Sequence, residues 1–100
     1  MPAFSHQIEK AIKRQDLISM NHRTSEFFAS YFDLLFALNE QTHPGEKRML
    51  EYAKTNCTLL PKQFEEPIRD YFQLLYQPQQ GKQAVVTLQT ILKQLKAILP

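Results

Sequence analysis

A hundred residues with a single cysteine, two glycines and no tryptophan exclude several architectures before any pattern is read. One cysteine cannot close an intramolecular disulfide, so this is no cystine-stapled scaffold, and Cys57 suits a reducing compartment. Scarce glycine argues against a turn-dense β fold, while abundant Leu, Gln, Lys and Glu favour helices. The net charge of +2 is too small for the electrostatic footprint of a nucleic-acid binder. No apolar run approaches the roughly 18 residues of a membrane span. Met1-Pro-Ala-Phe-Ser-His6 carries no basic segment leading into an apolar one, so the expectation is a soluble, cytoplasmic chain with no membrane partner. The length suits one small domain, residues 1–100, with one core.

What is present is helical periodicity, and the expected fold is an all-α five-helix bundle, mostly antiparallel and up-and-down. The first helix runs from about Ala3 to Gln15, with Phe4, Ile8, Ala11 and Ile12 on one face. Asp16 is the candidate N-cap of the second, which reaches about Gln41 as one long helix with a weak spot near Asn21. On a helical wheel, Phe27, Phe28, Tyr31, Phe32, Leu34, Leu35, Phe36 and Leu38 cover roughly 200° of its circumference, so it should pack on more than one side. Thr42-His43-Pro44-Gly45 reads as a turn, and Glu46 to Lys54 as a short third helix. The fourth helix spans Pro61 to about Gln77 with Phe64, Ile68, Tyr71, Phe72 and Leu75 as its stripe. Pro67 either marks a kink or lies in the first turn of a helix that starts near Glu65. The fifth, Lys82 to Leu99, carries Val85, Leu88, Leu92, Leu95 and Leu99 as a near-heptad seam, facing the interior or a second copy. Phe28, Tyr31, Leu35, Leu38, Ile68, Phe72 and Leu92 are the expected core.

Chemistry-bearing constellations are few. There is no Gly-x-Ser-x-Gly, no phosphate-binding glycine loop and no zinc ribbon, so no self-contained catalytic motif, cofactor or metal site is expected. Glu40-Gln-Thr-His43 has the Glu-x-x-His spacing of carboxylate-bridged metal bundles, but such sites need a second copy of the motif, and Pro44 follows at once. A small helical ribonuclease would call for an Arg shortly before a His on one helix, and no pair has that spacing.

The corner between the second and third helices holds the candidate binding residues: Asn39, His43, Lys47 and Arg48. Asn39 falls inside the apolar arc of the long helix. It either ties the Thr42–Gly45 turn to that helix or faces a cleft. Lys47 and Arg48 fall in the expected first turn of the third helix, where the dipole disfavours cations, so they are either anion contacts or surface charge beside Glu46.

Phe36-Ala-Leu-Asn39, His43-Pro-Gly-Glu-Lys-Arg48 and Leu59-Leu-Pro61, with Phe64 and Ile68 beyond, resemble an uncharacterised helical domain found C-terminal to nucleotidyltransferase domains. The matching positions are Leu38, Asn39, Pro44, Lys47, Leu60 and Pro61, and Ala11 to Asp16 fits the approach to the long helix. The resemblance covers roughly residues 8 to 76. It implies a non-catalytic domain that contributes a binding surface for nucleotide or acceptor, partnered by a nucleotidyltransferase domain in cis or trans. The Gly-Ser motif and paired Asp residues that would hold catalytic metals in that enzyme class are missing from this chain. The alternative is a protein-interaction module that uses Phe32, Phe36 or the Leu88–Leu99 seam to dock a partner or, as a homodimer, a second copy, for which apolar side chains left exposed would be the sign.

Overall fold

In the computed structural model, which describes residues 2–100 and the side chains from Ser5 onward, the chain is an all-α bundle. Its helices are α1 (Pro2–Arg14), α2 (Leu17–Leu38), α3 (Met49–Asn56), α4 (Glu65–Leu75) and α5 (Gly81–Ile98). Among the described residues there is no strand, and no helix is long and apolar enough to cross a membrane.

Local chemistry sets most boundaries. The helix α1 ends when Gln15 turns left-handed (φ 53), so that the Asp16 N–H reaches back to Ala11 and the Gln15 N–H to Ile12. Asp16 then caps α2, its carboxylate accepting from the Ser19 N–H at 3.2 Å and the Ser19 hydroxyl at 2.9 Å. Those two bonds, the backbone one first, hold its carboxyl below the usual value. The helix α2 ends at Leu38, three residues short of the expected Gln41, and repeats the device at Glu40 (φ 55), with the Gln41 N–H on the Phe36 carbonyl and the Glu40 N–H on that of Ala37.

No break occurs near Asn21. Within this polar stretch Thr24 is buried, its hydroxyl 2.8 Å from that of Tyr71 on α4. The wide apolar arc does pack on several sides: Phe27, Phe28, Tyr31, Phe32, Leu35 and Phe36 are all buried, so Phe32 and Phe36 are core residues and not the exposed docking residues of the interaction-module reading. Pro67 lies in the first turn of α4, where its missing N–H costs nothing.

Three expectations need correction. The third helix starts at Met49 and not at Glu46, because Arg48 adopts a left-handed conformation (φ 54) that a right-handed helix cannot include. The seam of α5 does face the interior, but it is turned by about one residue: Ala84, Leu88, Ile91 and Leu95 are buried, and Val85, Leu92 and Leu99 only half so. Phe72 is 46% exposed, and Leu38 is half-buried. Adjacent residues on a helix point about 100° apart; Tyr71 takes the core direction with Thr24, and Phe72 is left at the edge. Phe28, Tyr31, Leu35 and Ile68 are buried as expected. Phe4, placed on the inner face of the first helix, lies outside the described side chains.

Two helical hairpins, α1–α2 and α4–α5, make the closest backbone contacts, and α5 begins against the end of α1. Gly81 permits that approach, since a Cβ there would lie 2.6 Å from the Ile12 Cγ2. Between α2 and α4 the backbones scarcely meet. Aromatic rings fill the space instead: Phe28 on Tyr71 at 5.9 Å and on Phe72 at 5.2 Å, and Phe32 against Phe64 at 6.2 Å.

Candidate functional site

The four residues singled out at the α2–α3 corner do not converge. Asn39 sits at the end of α2 and spends its amide on backbone. Its Nδ2 donates to the carbonyls of Leu35 and Leu59, both at 2.9 Å, and its Oδ1 accepts from the Leu59 N–H at 2.8 Å. The amide therefore clamps the loop before α4, and not the Thr42–Gly45 turn that its position suggested. Both amide protons are used, which leaves no donor for a ligand.

His43 is a loop anchor. Its Nδ1 accepts the Gly45 N–H at 3.0 Å, which puts the proton of the neutral ring on Nε2, and Nε2 faces the Asp33 carboxylate at 3.6 Å. The ring stands edge-on to Phe36 at 5.4 Å, and Tyr52 packs on the same Phe36 at 5.6 Å while its hydroxyl donates to the Thr42 carbonyl at 3.4 Å. Gly45 (φ 90) makes the tight reversal possible. The Glu40 side of the Glu-x-x-His pattern is the left-handed end of α2, and among the described residues no three His, Cys, Asp or Glu side chains are grouped to hold a metal ion.

Lys47 and Arg48 precede α3, so they are not cations misplaced in a helix's first turn. Lys47 is exposed on the loop. Arg48 lines a groove, and among the described residues neither makes an ion pair.

That groove, about 840 Å³ in volume, runs between α2, α4 and the start of α3. The α2 side supplies Asn21, Ser25, Phe28, Ala29 and Phe32, spaced so that they share one face; α4 supplies Ile68, Arg69, Phe72 and Gln73. Glu46, Arg48, Met49 and Glu51 close the third side. Phe28, Phe32 and Phe72 give it an aromatic floor, a consequence of the rings that hold α2 and α4 apart. At the lip the Tyr76 hydroxyl donates to Asn21 Oδ1 at 3.1 Å. Of the four sequence candidates only Arg48 reaches this surface; Asn39, His43 and Lys47 lie outside it.

The charges around the groove nearly cancel. Arg69 is held by Glu65, which also takes Lys54 Nζ at 2.7 Å, and the Lys54 and Arg69 hydrogen bonds keep the Glu65 carboxyl below its usual value. Glu46 and Glu51 flank the unpaired Arg48. Nucleophiles are not activated: burial pushes the Cys57 thiol up and the Tyr71 hydroxyl up to about 12. The lining residues Asn21, Arg69 and Phe72 were not singled out as a site from sequence. The available signal was the pair Tyr71-Phe72, of which a helix can turn only one squarely to the core.

No protein-family model matches the chain, and no curated protein or solved structure is significantly similar to it.

Proposed function

We propose that this chain is a non-catalytic interaction module, and that the groove between α2, α3 and α4 docks the apolar surface of a protein. The observation that carries this is Phe72, 46% exposed, stacked on Phe28 at 5.2 Å and set in the floor of the groove. An aromatic side chain held rigid and open in a concave apolar site is the usual anchor of a protein contact. Charges of both signs at the rim, Arg48 with Glu46 and Glu51, suit a polar protein rim better than a polyphosphate, which asks for net positive charge. A reducing, cytoplasmic setting fits the buried, unpaired Cys57.

Indole serves as a probe for an aromatic anchor. Added to the labelled protein, it is expected to shift the amides of Phe28, Arg48, Met49 and Phe72, and to lose that effect in Phe72→Ala. Shifts elsewhere, or none at millimolar indole, refute the docking role.

A second reading keeps the nucleotidyltransferase association, with the chain lending a nucleotide or acceptor surface to a catalytic domain in cis or trans. One feature favours it: the unpaired Arg48 guanidinium shares the groove with the open Phe72 ring, a cation beside a stacking surface. ATP titration separates the two. Salt-sensitive shifts around Arg48, abolished in Arg48→Ala, are expected on this reading, and their absence at millimolar ATP leaves the protein-docking role alone.

A further inference from the structure

We propose that the groove's occupant presents a hydrogen-bond acceptor beside its apolar side chain, and that Thr24 is the residue that recognises it; the inference rests on the docking role above and states the chemistry of the partner. The observation is a count of hydrogens. Thr24 and Tyr71 are both buried, and their hydroxyl oxygens lie 2.8 Å apart. Each hydroxyl brings one hydrogen, and the contact between them uses one. Among the described residues neither oxygen has another hydrogen-bond partner, so one buried hydrogen is left over. The usual outlet for a helical threonine is the carbonyl one turn back, as Thr90 on α5 donates to Val86 at 3.1 Å. Thr24 makes no such bond.

The surplus hydrogen belongs to Thr24. A phenol is a stronger acid than an aliphatic alcohol and the better donor, so Tyr71 donates and Thr24 accepts. Tyr71 is wholly enclosed, whereas Thr24, although only 2% exposed, is part of the groove's lining beside Phe28. A buried donor without an acceptor is unfavourable. A purely hydrocarbon occupant would seal this one away from water, and an oxygen or nitrogen lone pair set next to the apolar group would satisfy it. The neighbouring groups are donors too. Asn21, also on the α2 wall, gives its Oδ1 to the Tyr76 hydroxyl and keeps its Nδ2 hydrogens, and Arg48 offers only donors. A protein segment meets these demands with an apolar side chain and an unpaired backbone carbonyl, a combination that the last turn of a helix provides.

The test compares indole, which has no ring acceptor, with indazole and benzimidazole, which keep its shape and add one acceptor nitrogen. Titrations are followed by amide shifts in the full chain. At least one aza-analogue is expected to bind about threefold or more tighter than indole, against the order that apolar burial alone would give. The decisive variant is Thr24→Val with Tyr71→Phe, which removes both hydroxyls at nearly constant shape and so should keep the fold, as circular dichroism can verify. In it indole should bind as before and the preference for an acceptor should vanish. In Arg48→Ala the preference should persist. Indole binding with no acceptor preference, or a preference that survives the double variant or is lost in Arg48→Ala, overturns the inference and leaves the docking role standing. Binding of none of the three compounds removes both.

Discussion

Two helix contacts in this molecule are built on opposite principles. Where α5 meets α1, the backbones come close because Gly81, at the start of α5, has no side chain to meet Ile12. Where α2 faces α4, six aromatic rings (Phe28, Tyr31, Phe32, Phe64, Tyr71 and Phe72) stand between the backbones. The second buries Phe28, Tyr31, Phe32 and Tyr71 but leaves its edge open, with Phe72 46% exposed. The open edge is the groove, and the half-exposed Phe72 is the last ring of the stack. Binding capacity here follows from the choice of spacer between helices.

The sharpest way to break the comparison is to remove a central ring. Phe28 touches Phe27, Tyr31, Phe32, Tyr71 and Phe72, so Phe28→Ala should lose about 3–5 kcal/mol of stability in urea unfolding. Phe72→Ala, at the open edge, should cost well under half of that. Equal losses would show that the edge is as tightly packed as the centre.

Alkaline titration probes the same stack. The Tyr71 hydroxyl is pushed up to about 12 chiefly by burial, and burial raises Tyr31 as well. An unfolded tyrosine ionises at about 10, so above that pH the unfolded state binds fewer protons than the native one. The tyrosine contribution to stability should therefore be constant below about pH 10 and fall between about 10 and 12, by up to roughly 1.4 kcal/mol per pH unit for Tyr71 alone. In Tyr71→Phe the slope should shrink, and an unchanged slope would place the titration elsewhere.

On the close-packed side the test is an added methyl. Gly81→Ala sets a Cβ 2.6 Å from Ile12 Cγ2 and should destabilise by about 1–3 kcal/mol. In an Ile12→Ala background that atom is gone, so the same change should cost almost nothing, and thermal melts of the four proteins give the coupling directly.

The smallest effect concerns the two helix ends that share one terminator. Gln15 and Glu40 both sit left-handed, so Gln15→Gly and Glu40→Gly should each stabilise by about 0.5–1 kcal/mol. The Glu40 change lies at the end of α2 and tests whether that helix limits the ring stack.

Much of the fold was legible because it rests on local rules. Asp16 announced the second helix, Pro67 suited a first turn at Glu65, and the crowding of apolar residues from Phe27 to Leu38 marked a helix packed on several sides. The site was less legible. Asn39 was marked as a polar residue in an apolar arc, which was sound, but its partner Leu59 is distant in the chain and no local rule points to it. Arg48 was named for a dipole misfit that does not exist, since its left-handed backbone ends the loop instead of opening the helix.

Helical class, most boundaries and the majority of buried positions were settled by the sequence alone, because caps, prolines and 3.6-residue periodicity act within a turn or two of the chain. Only the tertiary structure decided which of Tyr71 and Phe72 turns inward, which face of α5 is buried and where a groove opens. Those outcomes depend on how far apart two helices settle, and that distance is set by side chains drawn from both of them, which neither helix encodes by itself.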